Sequence, residues 1–216
     1  MKLAVEPTVN FLHKPAYSTL ATQSAQFPGY PYATVVPNVL DECHRPLLLV
    51  SALAEHTKNL LADPRVSFSL IEPGAESVQT APRITLLGDA EWFEPDELLK
   101  ARYLRYFPDS VQYLELDFVF FRTILKRVRF IAGVGKMGWL GAVEWGTVRP
   151  LALERESALV EIAQQAAPTG ILILGVDCYG IDYEVDGFRD RQVYGGHDAH
   201  SDVDEDFLKV VASQLS

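Results

Sequence analysis

Short β-type patterns fill the first two thirds of the chain. Their residues alternate between apolar and polar or form β-branched runs, and turn residues separate one run from the next. Both patterns are typical of strands, because side chains along a strand point alternately to its two faces. The predicted strands are residues 18–21, 32–36, 46–51, 65–71, 83–93 and 118–131, the last of which forms one strand or two. Short helices are predicted within residues 8–17, over 55–63, and from Pro95 to near Pro108.

This order of elements favours an antiparallel barrel. About six strands follow one another with only short helices between them, which does not fit the alternating strands and helices of a parallel sheet. Residues 41–46 are predicted to form a hairpin loop that joins antiparallel strands at 32–36 and 46–51.

The pattern changes near residues 146–150 (GTVRP). A helix is predicted over 154–167, followed by three short strands over 171–176, 180–185 and 188–194. A last helix is predicted to begin near Asp202, whose side chain can cap it together with Glu205 three positions later. We therefore predict a barrel over residues 1–145 and a small α+β domain over residues 150–216. The second unit is small for an independent fold, so we expect it to pack on the barrel.

Composition narrows the possible partners. The chain has 216 residues, of which 48% are hydrophobic and 22% charged, as in packed globular proteins. With 19 basic and 29 acidic side chains its net charge is -10. That balance argues against general binding to nucleic acid or an anionic membrane, since both need an excess of Lys and Arg. No apolar run reaches the length of a membrane span and the N-terminus lacks a secretion signal, so a cytoplasmic protein is expected.

Cysteines and histidines show no metal or disulfide signature. Cys43 and Cys178 are far apart, and no Cys-x-x-Cys spacing occurs. His13 and His44 are isolated, which is typical of surface residues. His197 and His200 lie in a polar, Gly-rich stretch that favours a solvated loop; the alternative is that one of them ligates a metal or the iron of a haem. No metal site is predicted.

The segment 51–59 (SALAEHTKN) carries the strongest chemical pattern. A hydroxyl at a strand end is followed by His56, Thr57 and Lys58 at the start of a helix, where free backbone N–H groups and the helix dipole favour an anion. This pattern predicts a phosphate cradle in which Thr57 donates a hydroxyl, Lys58 supplies a charge and Ser51 closes the other side. An ordinary capped surface helix is the alternative.

Five segments resemble one known family in their order and spacing. They are residues 18–22 (STLAT), 29–36 (GYPYATVV), 51–60 (SALAEHTKNL), 63–67 (DPRVS) and 82–88 (PRITLLG). Together they resemble the pyridoxamine 5'-phosphate oxidase-like FMN-binding split barrels, and most closely the haem-utilisation proteins, which often carry a small C-terminal α+β domain. The resemblance covers nearly the whole chain and implies an FMN-binding split barrel followed by that domain.

The resemblance also implies a set of cofactor-binding residues. His56, Thr57 and Lys58 match the positions that hold the FMN phosphate, and Ser51 matches a strand-end contact. The resemblance places Arg83 beside the flavin; the alternative is that Arg83 is a solvated arginine at the end of a strand. The residues implied to bind the cofactor are Thr34, Val36 through its backbone, Ser51, His56, Thr57, Lys58, Arg83 and Lys136. Family members are homodimers with the FMN site at the subunit interface, so a homodimer is expected.

Two departures limit what the resemblance implies about the reaction. Ala52 stands where many relatives carry arginine, and the elements that hold pyridoxine phosphate in the true oxidases are missing. A flavin-dependent oxidoreductase acting on an unassigned small-molecule substrate is the leading hypothesis, with no catalytic residue assigned. The alternatives are a haem-binding or haem-degrading protein of the same fold, with His197 or His200 on the iron, and a flavin-binding module without turnover.

Overall fold

A computed structural model describes residues 4–133, 135–194 and 203–216. The strands are β1 (Tyr17–Gln23), β2 (Pro31–Pro37), β3 (Val39–Leu40), β4 (Pro46–Ser51), β5 (Arg65–Ile71), β6 (Arg83–Phe93), β7 (Phe118–Ile131), β8 (Met137–Gly141), β9 (Ile171–Val176), β10 (Gly180–Val185) and β11 (Phe188–Val193). The helices are α1 (Val5–His13), α2 (Glu55–Ala62), α3 (Glu97–Tyr106), α4 (Ala142–Trp145), α5 (Leu153–Ala166) and α6 (Glu205–Ala212), with a 3₁₀-helix at Pro108–Glu115.

The first eight strands form one curled antiparallel sheet. Its order is β2-β1-β5-β6-β7-β4-β3, and β8 pairs with the second half of β7. Because alternate residues face opposite sides, the register creates two rows across the sheet. The core row, which is buried, consists of Leu20, Phe68, Leu86, Val128 and Leu140. The outer row consists of Val35, Thr19, Ser69, Thr85, Arg129 and Trp139, and we call this side of the sheet the outer face.

The predicted fold class is confirmed: a split-barrel type of curled sheet is followed by an α+β unit. All six predicted strands are present, and residues 118–131 form a single strand. Two further strands, β3 and β8, escaped prediction. The first has only two residues, and the second contains Gly138 and Gly141, which weaken the β-type pattern.

The predicted pairing of residues 32–36 with 46–51 is wrong. Instead β2 pairs with β1, and β4 pairs with β3 and β7. The chain turns at Asn38, whose side-chain amide donates to the backbone carbonyls of Leu12 and Pro15, both at 2.8 Å. These two bonds anchor the end of β2 beside the N-terminal helix, so the hairpin forms only between β3 and β4.

The C-terminal unit is a three-stranded sheet, order β11-β10-β9, covered by α5 and α6. Residue Asp202 lies outside the described residues. The last helix begins at Glu205, and its N-cap is Asp204, whose carboxylate accepts the backbone N–H of Phe207 at 2.9 Å. Within the described ranges, no helix is long and apolar enough to cross a lipid bilayer.

This unit packs on the curled sheet, as expected. Leu174 of β9 is buried together with Leu47, Leu49 and Tyr103, while Cys178 and Tyr179 join the main core of the sheet. The unit therefore shares buried surface with the barrel. The division into residues 1–145 and 150–216 stays a prediction.

Candidate functional site

The turn from β4 into α2 hydrogen-bonds to itself. Thr57 is fully buried, and its hydroxyl donates to the backbone carbonyl of Ser51 at 2.6 Å. The backbone N–H groups of Thr57 and Lys58 both donate to the carbonyl of Ala54, at 3.1 and 3.2 Å. The single hydroxyl proton of Thr57 is thus already donated within the turn. Thr57 stabilises the turn in this structure and does not present a donor to a phosphate.

His56 and Lys58 are the groups of this turn that are left for a ligand. The ring of His56 is half-buried, its Nε2 has no hydrogen-bond partner among the described residues, and burial lowers its pKa. Lys58 is exposed and forms no ion pair with any residue that the structure describes. Asn59 fixes the helix to the end of β1, since its amide donates to Thr22 Oγ1 at 3.0 Å. The turn therefore offers one free cation beside a neutral imidazole.

Three other predicted cofactor residues lie on different sides of the sheet. Thr34 is opposite Leu20 on the core side, and Val36 is buried in the core. Arg83 is two residues from Thr85 on the outer face, and its guanidinium donates to the backbone carbonyl of Val78 at 2.8 Å. The side chains of Thr34 and Arg83 therefore point to opposite faces of the sheet.

Ser51 and Lys136 complete the predicted set. Ser51 ends β4, and its Oγ accepts the backbone N–H of Leu53 at 3.2 Å. Lys136 is exposed in the turn between β7 and β8, where its backbone N–H donates to the carbonyl of Gly133 at 3.1 Å.

Arginine and aromatic side chains cluster on the outer face. The guanidinium carbons of Arg127 and Arg129 lie 4.3 and 5.1 Å from the centre of the Trp139 ring. Trp139 is 40% exposed and Met137 45% exposed. Arg127 and Arg129 are two residues apart on β7, so their side chains point to the same face. Arg83 also points to this face, because it pairs with Ile131, which is two residues after Arg129. We call Arg83, Arg127, Arg129, Met137 and Trp139 the arginine–tryptophan patch; it combines apolar surface with positive charge.

A buried polar cluster links the N-terminal helix to the C-terminal unit. His13 and His44 are 2% and 1% exposed, so their predicted surface position is wrong. Nδ1 of His13 lies 2.5 Å from Oδ2 of Asp182, and Nε2 of His13 lies 2.8 Å from Nδ1 of His44. Arg191 donates to Asp182 at 2.5 Å and to both oxygens of Asp177 at 2.7 and 2.8 Å.

The charges in this cluster are set by burial and by pairing. Burial lowers the pKa of His44 to about 3, so its imidazole is neutral near pH 7. Burial raises the pKa of Asp177, but the positive charge of Arg191 is the largest opposing cause, and that pKa falls to about 2. Because the cluster is closed to solvent, it holds segments of the fold together and offers no surface for a substrate.

Comparison with known proteins identifies the family. The family model described as pyridoxamine 5'-phosphate oxidase matches residues 5–132, more than half of the chain. The chain belongs to the pyridoxamine 5'-phosphate oxidase family. The family resemblance inferred from the five segments is therefore confirmed.

Haem-related proteins are among the relatives of this family member. It is 38% identical over 152 residues, 69% of its length, to the chloroplastic non-canonical haem oxygenase HOZ of Arabidopsis thaliana. The match covers 45% of that protein, so the chain spans less than half the length of this curated relative.

Two solved structures show the same architecture. A haem-binding protein from Mycobacterium smegmatis superposes with a TM-score of 0.61 at 26% identity, over 100% of this chain and 99% of the other. A protein of unknown function from Agrobacterium tumefaciens reaches a TM-score of 0.74 at 23% identity, over 98% of this chain and 94% of the other, and supports the fold alone. The haem-utilisation subgroup expected from the sequence agrees with these relatives of the pyridoxamine 5'-phosphate oxidase family.

Proposed function

We propose that this member of the pyridoxamine 5'-phosphate oxidase family binds haem on its outer face. The observation that carries the proposal is the arginine–tryptophan patch, in which two guanidinium groups flank an exposed indole ring. Haem is a flat apolar molecule with carboxylate groups at one edge. An aromatic ring and apolar side chains suit its plane, and arginines suit its carboxylates. The haem-related relatives support the same assignment.

The iron ligand is a separate part of the proposal. His13 and His44 are buried in the polar cluster, and the ring of His56 is half-buried at the α2 turn. The expectation that His197 or His200 binds the iron concerns residues outside the described ranges. We keep this expectation as part of the proposal, because a neutral imidazole is a common axial ligand of haem.

A homodimer fits the distribution of exposed side chains. Val35, Trp139 and Met137 are large apolar residues exposed on one sheet face, and such a face is typical of an interaction surface. The resemblance to the family implies a cofactor site at the subunit interface, which requires a second copy. We therefore propose that two copies meet through their outer faces, so that the arginine–tryptophan patch and its ligand lie at the subunit interface. A cytoplasmic location also stays a prediction.

Haem titration tests the proposal. Adding haem to the purified protein is expected to give a sharp Soret band that saturates at a fixed ratio of haem to chain. The double variant Arg127→Ala/Arg129→Ala is expected to bind haem more than about a hundredfold more weakly, because each of its two charged contacts to a carboxylate contributes about 1.5–3 kcal/mol. Arg65→Ala, which removes an exposed arginine elsewhere, is the control and should bind haem like the unchanged protein.

The iron ligand is tested in the same titration. His200→Ala or His197→Ala is expected to shift the Soret band if that imidazole binds the iron. A titration without saturation, or one that the double arginine variant leaves unchanged, would rule out haem binding at the arginine–tryptophan patch.

FMN binding is the second candidate, and the α2 turn favours it. Lys58 is a free cation at the position that the family uses for the FMN phosphate, and His56 lies next to it. The turn fits only in part, because the hydroxyl of Thr57 already donates to Ser51. A flavin-dependent oxidoreductase, which acts through the electron chemistry of the flavin ring, rests on this partial fit.

Lys58→Ala tests the flavin assignment. If FMN binds at the α2 turn, the protein is expected to gain flavin absorbance on titration with FMN, and Lys58→Ala should weaken binding about tenfold. Lys126→Ala is the matched control, because Lys126 lies outside the α2 turn and pairs with Asp89 at 3.0 Å. Bound FMN that NADPH and NADH do not reduce would favour a flavin-binding module without turnover. A protein that binds no FMN would eliminate the flavin candidates.

A further inference from the structure

Three buried ligand atoms converge between the barrel and the C-terminal unit. They are Nε2 of His13 at the end of α1, Nδ1 of His44 in the loop between β3 and β4, and Oδ2 of Asp177 in the turn between β9 and β10. The distances are 2.8 Å between the two nitrogens, 3.5 Å from His13 to Asp177 and 3.9 Å from His44 to Asp177. A point equidistant from the three atoms lies about 2 Å from each, which matches the Zn–N and Zn–O bond lengths of protein sites.

Neighbouring groups orient these atoms as in a metal site. Nδ1 of His13 faces Oδ2 of Asp182 at 2.5 Å, so that its proton is on Nδ1 and the lone pair of Nε2 points to the common point. Metal-binding histidines in proteins typically have their second ring nitrogen held by a carboxylate in this way. Asp182 is itself held by the hydroxyl of Tyr106 at 2.5 Å.

Asp177 is oriented equally firmly. Its Oδ1 accepts the backbone N–H groups of Tyr179 and Gly180, at 2.7 and 3.1 Å, and one N–H of Arg191 at 2.7 Å. Oδ2 also accepts Arg191 at 2.8 Å, and its remaining lone pair faces the two histidines. The carboxylate is thus fixed by the backbone of the turn that carries it.

We propose that His13, His44 and Asp177 bind one divalent transition-metal ion, with Zn²⁺ as the best match. Two imidazoles and one carboxylate are a ligand set that Zn²⁺ accepts, and three protein ligands leave one coordination position for water or another small ligand. On binding, the proton between the two imidazoles leaves Nδ1 of His44, and His44 stays neutral as the tautomer protonated at Nε2. Because the ligands come from α1, the β3–β4 loop and the C-terminal unit, the metal joins three segments that are distant in sequence.

The alternative is that hydrogen bonds alone hold the cluster together and that it binds no metal. The separation of 2.8 Å between the two imidazole nitrogens is that of a hydrogen bond, whereas two nitrogens on one tetrahedral Zn²⁺ lie somewhat farther apart, at about 3.3 Å. The two accounts differ in metal content and in the response of stability to metal. Neither readout depends on haem or FMN binding, so this proposal stands or fails separately from the proposed function.

Metal analysis of untagged full-length protein is the first test. After gel filtration in metal-free buffer, we expect about one zinc per chain by inductively coupled plasma mass spectrometry. His44→Gln and Asp177→Asn, which are close to the original side chains in size, should retain less than a tenth of that metal. His56→Gln and Asp63→Asn are matched controls and should retain it, since neither residue lies in the cluster.

The unchanged protein supplies a test that does not depend on whether the variants fold. Protein stripped with a chelator should gain about 5 °C or more in melting temperature when Zn²⁺ is restored at a hundredfold excess over its dissociation constant. Co²⁺ in place of Zn²⁺ should give visible absorption typical of a four-coordinate site. Metal that His44→Gln retains, or stripped protein whose melting temperature and visible spectrum respond to neither ion, would overturn the proposal.

Discussion

Replacing Glu156 with leucine is expected to lower the free energy of unfolding by about 3–5 kcal/mol, because it leaves a buried charge without its partner. Glu156 is 1% exposed and pairs with Arg102, which is 2% exposed, and with Arg105 at 2.7 Å. Burial lowers the pKa of Arg102, but the charge of Glu156 outweighs it and raises that pKa above its ordinary value. Because a guanidinium keeps its charge near pH 7 even when it is buried, Arg102 stays charged in the variant and lacks the carboxylate that paired with it.

Urea unfolding at pH 7 measures this effect. Glu154→Leu is a matched control, because Glu154 lies on the same helix and is exposed; it should change the unfolding free energy by less than about 0.5 kcal/mol. The double variant Glu156→Leu/Arg102→Met should recover much of the loss, since replacing both partners of a buried pair with apolar residues is often neutral. A double variant that is less stable than Glu156→Leu would show that the buried charge does not cause the loss.

Phe68→Ala is expected to destabilise the barrel by about 3–5 kcal/mol, the usual loss when a buried aromatic ring is replaced by alanine. Phe68 is 1% exposed and lies in the core row between Leu20 on β1 and Leu86 on β6. Removing the ring leaves a cavity that strands paired on both sides cannot close. The loss of stability therefore includes the hydrophobic free energy of burying the ring and the cost of the cavity that remains.

Thermal unfolding followed by circular dichroism measures the effect of this change. We expect the melting temperature to fall by about 10 °C, given 2–4 °C per kcal/mol for a chain of this size. Phe188→Ala is the matched control, because the ring of Phe188 is 76% exposed, and it should leave the melting temperature nearly unchanged. Equal losses in the two variants would mean that the core row does not dominate the stability of the sheet.

Strands and helices with regular local patterns were predictable from the sequence. The strand at residues 65–71 alternates apolar and polar residues, and the structure buries the apolar side chains Val66, Phe68 and Leu70. The pairing of β2 was not predictable in the same way. It depends on the amide of Asn38 reaching backbone carbonyls of Leu12 and Pro15, a contact between segments that no local pattern describes.

The candidate site likewise has parts that a local pattern predicts and parts that depend on contacts between distant segments. The α2 turn was recognisable because its residues are contiguous, although its hydrogen bonds were not, and Thr57 proved to donate to Ser51. The buried cluster left no local signal, since His13 and Asp182 are 169 positions apart. The arginines of β7 and Trp139 of β8 meet only through strand register, and the strand that carries Trp139 was missed. A search for isolated histidines with carboxylates far along the chain would have pointed to the cluster.

Long sequence separation within the buried cluster bears on how the protein is made. Asn10 and His13 of the first helix contact Arg191 and Asp182, which are 181 and 169 positions later. At 5–20 residues per second, a ribosome needs about 10–35 s to synthesise the intervening chain. The strands of the curled sheet are synthesised within that interval, but the residues of the C-terminal unit that enclose His13 are not yet present. The first helix is enclosed only after Arg191 has emerged from the ribosome.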